Sequence, residues 1–251
     1  MKTAKDSNEK YHSSPGISAS GLKVIHKKSV YHYLNQKPFE SKSMAFGTAV
    51  HTALLEPDNF NKEYYVLHNI DRRTKAGKEQ YAAAEKLARN KVMLPSQDKE
   101  RIDRINENFK KNTLAQYYSK GQIELSHYGE YHNASVRIRP DVLNRHKDFI
   151  ADVKTCQDNS PRAFKNDVYK YAYHLQAAFY MDMLQINNFR FITVQSTYPF
   201  TVEVYALSEE MIEQGRNAWK QAFADYEMYL ETGVVPSYNW HQYANDGSYL
   251  L

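Results

Sequence analysis

The chain has 251 residues, a formal net charge of +4, a sequence pI near 8.8 and a single cysteine, Cys156. That length buries a full core in one large α/β domain or two small ones, and one domain is the expectation. One cysteine excludes a disulfide framework, a four-cysteine zinc site and a cysteine-held iron–sulfur cluster, and the mild basicity permits a nucleic-acid partner without demanding one.

Residues 1–16 form a polar lead with no apolar h-region, and no stretch of the chain approaches 18 apolar residues. A soluble, cytoplasmic protein with no membrane partner is therefore expected. Ser18 reads as the N-cap of a helix running through Leu22, Ile25, Val30 and Leu34 and ending before Pro38, with Lys23, Lys27 and Lys28 on its other face. A second helix is expected over 43–55, carrying His51 in its last turns and closed by Glu56-Pro57. A short strand follows at 64–67, then helices over 75–90 and 97–111.

From Gln122 the period changes to two, and strands are expected over 122–127, 134–144 and 149–155, antiparallel with turns at 129–133 and 145–147. Ser160-Pro161 opens a helical region whose main helix spans 171–184, and 191–197 with 202–207 reads as a hairpin around Pro199. Ser208, followed by Glu209 and Glu210, caps a long final helix to Leu230 that Gly233 ends. The domain thus covers 17–236, and 237–251 is expected to be an irregular tail.

The chemistry concentrates between Pro140-Asp141 and Asp152-Val153-Lys154, eleven positions on. Strand alternation puts Arg137, Arg139 and Asp141 on one face, and Asp152 with Lys154 on one face while Phe149, Ala151 and Val153 turn to the core. Two carboxylates and a lysine converging across adjacent strands suit metal-dependent phosphodiester cleavage. The acids offer hard oxygens to Mg²⁺, and the lysine positions or deprotonates a water or offsets charge at the phosphorane. The bland alternative is a solvated ion pair worth about 0–1 kcal/mol, and the chain does repeat the acid-x-Lys pattern at Glu40-Ser41-Lys42, in a loop. Conjunction favours the site. Gln176 and Tyr180 share a helix face at i and i+4, and His51 on a small-residue helix can lend a neutral imidazole to a metal.

Four blocks in order carry a resemblance: Gly47-Thr48-Ala49-Val50-His51-Thr52-Ala53-Leu54-Leu55-Glu56-Pro57; Arg137-x-Arg139-Pro140-Asp141; Asp152-Val153-Lys154-Thr155; and His174-Leu175-Gln176-Ala177-Ala178-Phe179-Tyr180. From about Gly16 to Pro236 the chain resembles RecE-type exonucleases (exodeoxyribonuclease VIII), a branch of the RecB-like PD-(D/E)xK nucleases. The resemblance implies an α/β, restriction-endonuclease-like fold with a mixed central β-sheet flanked by helices. It implies His51, Asp141 and Asp152 as metal ligands with the Val153 carbonyl, Lys154 as catalytic lysine, and Gln176 and Tyr180 flanking the site. Glu124 matches a further acid of such sites, with Glu130 as competitor. The implied activity is Mg²⁺-dependent (Mn²⁺ as substitute), processive 5′-to-3′ digestion of linear double-stranded DNA. The implied setting is a ring-shaped homo-oligomer beside a RecT-like single-strand annealing protein, in a bacterial cell or prophage. Arg137 and Arg139 would contact flanking phosphates or pair with acids. Lys23 and Lys27, with Lys28, would line the duplex path or form a solvated face. No Walker loop, His-Glu-x-x-His or complete nucleophile elbow occurs, the run Gly16-Ile17-Ser18-Ala19-Ser20 lacking the last glycine. The rivals are a RecB-like endonuclease or single-strand exonuclease, and a catalytically silent DNA-end-binding protein.

Overall fold

The computed structural model describes residues 1–37, 39, 41–68 and 70–238. Glu40 of the look-alike triplet and the expected tail from 239 onward lie outside the described residues. In chain order the elements are β1 (Lys2–Ala4), α1 (Asn8–Ser13), α2 (Ala19–Lys27), α3 (Val30–Leu34), α4 (Lys42–Leu55), α5 (Pro57–Glu63), β2 (Tyr64–Leu67), α6 (Lys75–Ala88), β3 (Val92–Pro95), α7 (Ser96–Lys111) and α8 (Thr113–Tyr118). There follow β4 (Gln122–Ile123), β5 (Ser126–Tyr131), β6 (Ala134–Ile138), β7 (Val142–Asn144), β8 (Phe149–Cys156), α9 (Pro161–Lys170), α10 (Tyr173–Leu184), β9 (Phe189–Gln195), β10 (Val202–Tyr205) and α11 (Glu209–Thr232). None of these helices is long and apolar enough to cross a membrane.

A five-stranded mixed sheet in the order β10-β9-β8-β7-β4 forms the centre, with β8 and β9 parallel and the other pairs antiparallel. Parallel neighbours need a crossover, and α9 with α10 supplies it, laying helices on one face of the sheet. Ile150 and Cys156 of β8 join the apolar cluster containing Leu22, Leu175, Phe179 and Trp219, so α2, α10 and α11 cover that face. Phe149, Ala151 and Val153 join a second cluster with Val50, Ile105 and Ala115, from α4, α7 and α8 on the opposite face. Strand β8 is thus buried on both sides. The face of Asp152 and Lys154 lies under helices because the crossover packs there.

Two expected strands are each divided between sheets. The stretch 134–144 breaks at Pro140, which has no N–H to give a ladder. β6 then pairs β5 in a smaller sheet, β1-β5-β6, while β7 pairs β8 in the central one. The stretch 122–127 breaks at Glu124, whose φ of 51° ends the extended run between β4 and β5. The helix expected from Ser18 onward is two helices, because the Ser29 side chain accepts from the His32 N–H and starts α3 afresh. The polar lead holds β1, paired to β5, and α1, which buries Tyr11. α5, β3 and α8 lie where the sequence carried no expectation; α5 starts on a proline in its first turn, where the missing N–H costs nothing.

Candidate active site

The antiparallel register Val142↔Ala151 carries the chain back so that Asp141, just before β7, stands beside Asp152 on β8. Asp141 Oδ2 accepts the Val153 N–H at 2.6 Å. α4 packs on the other side of β8 and delivers His51, whose Nε2 lies 2.8 Å from the Val153 carbonyl oxygen and 3.2 Å from Asp141 Oδ2. The turn that breaks the strand at Glu124 aims that carboxylate inward, with Oε1 at 3.8 Å from His51 Nδ1 and Oε2 at 2.9 Å from Arg139 Nε.

Asp152 is 2% exposed and uses its two oxygens differently. Oδ1 accepts from Gln176 Nε2 at 2.7 Å, and Oδ2 faces Lys154 Nζ at 2.5 Å. The helix carrying Gln176 begins at Tyr173 after a left-handed Ala172, which turns the crossover down onto β8. Gln176 Oε1 in turn accepts from Lys23 Nζ of α2 at 2.5 Å, and the ammonium groups of Lys23 and Lys154 lie 5.0 and 4.8 Å from the centre of the Tyr173 ring. Tyr180, buried one turn further along α10, donates to the Arg139 carbonyl at 3.4 Å.

The charges are strongly coupled. Burial and then the Asp152 carboxylate push Asp141 up to about 7, against the pull of His51. Burial alone would depress His51, but Asp141, the contact with Glu124 and the Val153 carbonyl lift it to about 9. Burial likewise works against charge on Lys154, yet Asp152 and Asp141 hold it above its ordinary value. Lys23 goes the other way, to about 7, through burial and then repulsion from Lys154.

Ligand atoms of His51, Glu124 and Asp141 all lie within 4.8 Å of one another. Asp152 Oδ2 is buried with no hydrogen bond and is met by the Lys154 ammonium in an ion pair. Hard carboxylate oxygens, a main-chain carbonyl and one imidazole make a donor set that fits a divalent cation such as Mg²⁺ or Mn²⁺. A cavity of about 420 Å³ opens beside this cluster, walled by His51, Glu124 and Arg139 and, across from them, by Asp6 and Asn8 of the N-terminal segment.

The structure therefore brings together His51, Glu124, Asp141, Asp152, the Val153 carbonyl, Lys154, Gln176 and Tyr180. The competitor Glu130 is exposed on β5 opposite Ser135, away from the cluster. Of the two roles open to Arg139, pairing with an acid is the one observed: it pairs with Glu124 as well as Asn8, and both it and Arg137 lie over the Tyr11 ring of α1. One expectation changes. Lys23 belongs to the cluster, while Lys27, at the end of α2, and Lys28, just after it, stay exposed. Sequence reasoning set Lys23 among surface lysines. The available signal was its place after Leu22 and four residues from Ala19, both buried, at the margin of the apolar stripe.

No curated protein matches the chain. Among solved structures, a candidate exonuclease from Eubacterium rectale superposes with a TM-score of 0.64 at 12% identity, covering 94% of this chain and 90% of that one. A phage-related exonuclease from Haemophilus somnus 129PT gives a TM-score of 0.34 at 14% identity, covering 87% of this chain and 96% of that one. At such identity the first likeness speaks for the fold alone, a mixed α/β architecture. Residues 18–243, a span that takes in every member of the cluster, match one family, and by that match the chain belongs to the PDDEXK-like domain of unknown function (DUF3799).

Proposed function

We propose that this chain is a metal-dependent nuclease and, within that class, a RecE-type exonuclease that digests the 5′-ended strand of linear double-stranded DNA processively, leaving 3′ overhangs for recombination by annealing. The nuclease reading is carried by one observation: Asp141, Asp152, the Val153 carbonyl, His51 and Lys154 meet at a single buried spot. The exonuclease refinement, its polarity, the RecT-like annealing partner, the ring-shaped homo-oligomer and the bacterial or prophage setting rest on the four sequence blocks.

His51, Asp141, Asp152 and the Val153 carbonyl would hold a Mg²⁺ or Mn²⁺ ion, which when bound polarises a phosphodiester and lowers the pKa of a water. Glu124, itself held by Arg139, faces the imidazole on its Nδ1 side at 3.8 Å, while the Nε2 edge is turned to Asp141. Lys154 keeps its proton because two carboxylates surround it. It therefore acts as a hydrogen-bond donor that orients the attacking water and offsets charge on the phosphorane, rather than as the base. Gln176 anchors one oxygen of Asp152 and leaves the other to face Lys154 and the cation.

The test uses linear duplex DNA labelled at the 5′ or 3′ end, and closed circular DNA, with Mg²⁺ or EDTA, for wild type and Asp152→Ala. The expected result is metal-dependent release from the 5′ label alone, absent in the variant. Cutting of closed circles would make the protein an endonuclease, and binding without cleavage would make it a silent end-binding module.

A further inference from the structure

We infer that Lys23 is a positioning residue for the metal-binding carboxylate Asp152, acting through the Gln176 amide; the inference builds on the nuclease reading of the same site. A glutamine amide has two ends of opposite polarity, and here each end meets a group that accepts only one of them. Oε1 accepts from the Lys23 ammonium at 2.5 Å, and Nε2 donates to Asp152 Oδ1 at 2.7 Å. A flipped amide would set its N–H groups against an ammonium and its oxygen against a carboxylate. Lys23 thereby locks the donor end onto Asp152 Oδ1. That bond, with Lys154 on Oδ2, fixes the plane of a carboxylate buried at 2% exposure.

The surroundings of Lys23 support this role. Among the described residues it has no carboxylate within ion-pair distance, and Gln176 is its hydrogen-bond acceptor. It stands on α2, whose Leu22 and Ile25 are buried, and its ammonium lies 5.0 Å from the centre of the Tyr173 ring. Burial and then repulsion from Lys154 work against the charge on Lys23, and the amide oxygen and the ring face are the groups that favour its ammonium form there.

The sign of one measurement separates a relay from a simple charge effect. Deleting a cation near a metal site strengthens metal binding when charge alone matters. Losing a relay that orients a ligand weakens it. Mn²⁺ binding to the free protein, without DNA, is measured by calorimetry for wild type, Lys23→Met, Lys23→Arg, Gln176→Ala and Lys23→Met/Gln176→Ala, alongside kcat and KM on linear duplex DNA. Lys23→Met is expected to weaken Mn²⁺ binding and lower kcat about tenfold each, the scale for residues that support a metal ligand, with KM little changed. In the Gln176→Ala background it is expected to add no further loss, and Lys23→Arg, which keeps a charged donor, restores most of the affinity. Unchanged or tighter Mn²⁺ binding in Lys23→Met overturns the relay, and so does a loss confined to KM that adds to that of Gln176→Ala, the mark of a direct phosphate contact. If the wild type binds Mn²⁺ but cleaves no DNA, the nuclease reading falls while the calorimetry still decides the role of Lys23. Melting temperatures establish that each variant folds, and Lys23→Gln replaces Lys23→Met should the latter not fold.

Discussion

Asp141 is a carboxylate kept where burial and a neighbouring acid both oppose its charge, and its pKa near 7 records that conflict. The folded protein tolerates this because Asp141 Oδ2 also accepts the Val153 N–H and faces His51. Asn retains an oxygen for the Val153 N–H and removes the repulsion from Asp152 and Glu124. Asp141→Asn is therefore expected to abolish cleavage while raising the stability of the metal-free protein at pH 8 by on the order of 1 kcal/mol, as when an active site's strain is relieved. Urea unfolding in EDTA checks it; a variant less stable than wild type would mean that the charge of Asp141 supports the fold. The converse holds at Lys154, whose loss would leave Asp152 buried without its counter-ion.

At the scale of elements, the site depends on how α11 presses α10 down onto β8. Gly215 makes that approach: a Cβ at this position would lie 2.2 Å from the His174 carbonyl oxygen, in the turn just before Gln176. Gly215→Ala is expected to cost about 1–3 kcal/mol by forcing two packed helices apart. It should lower cleavage as well, since the displaced turn carries Gln176. A urea midpoint equal to that of wild type would show that the helices have room to spare. The sequence registered which residues of β8 share a side, because alternation is local: Asp152 and Lys154 point one way and Phe149, Ala151 and Val153 the other. The apolar positions of the 171–184 helix pointed to packing on the sheet, but that this helix covers the Asp152 side follows from the parallel pairing of β8 with β9 and the crossover it requires. Likewise Pro140 and the left-handed Glu124 divide two apparently continuous strands between sheets, and the period-two pattern runs unbroken through both. His51, Asp141, Asp152, Lys154 and Gln176 were legible through their chemistry and order. Lys23 was not, because helical spacing places a lysine at the margin of a stripe without saying whether another element closes over it.

The whole molecule joins two apolar clusters across the central sheet, and the charged cluster sits at their junction, so its protons are linked to folding. Asp141 rises from 3.8 to about 7, so between those values the folded protein holds a proton that the unfolded chain has released, and stability falls as pH climbs through that window. His51 rises from 6.5 to about 9, so its contribution is complete below 6.5 and is lost as pH climbs through 9. Both act in the same direction, and the metal-free protein is expected to lose stability from these two groups between pH 6 and pH 9. A divalent cation held as proposed would take the place of those protons, since its ligands would be the ionised carboxylate and the neutral imidazole. Mg²⁺ should accordingly raise the melting temperature more at pH 9 than at pH 6. Other groups titrate across the same range, so the informative quantity is the wild-type melting temperature minus that of Asp141→Asn, in EDTA and in Mg²⁺, at both pH values. In EDTA the difference should become more negative from pH 6 to pH 9, and in Mg²⁺ it should move the opposite way, because the variant lacks a ligand. A difference that does not change with pH in EDTA would mean that Asp141 and His51 titrate alike in folded and unfolded chains, and the electrostatic description of the cluster would fail with it.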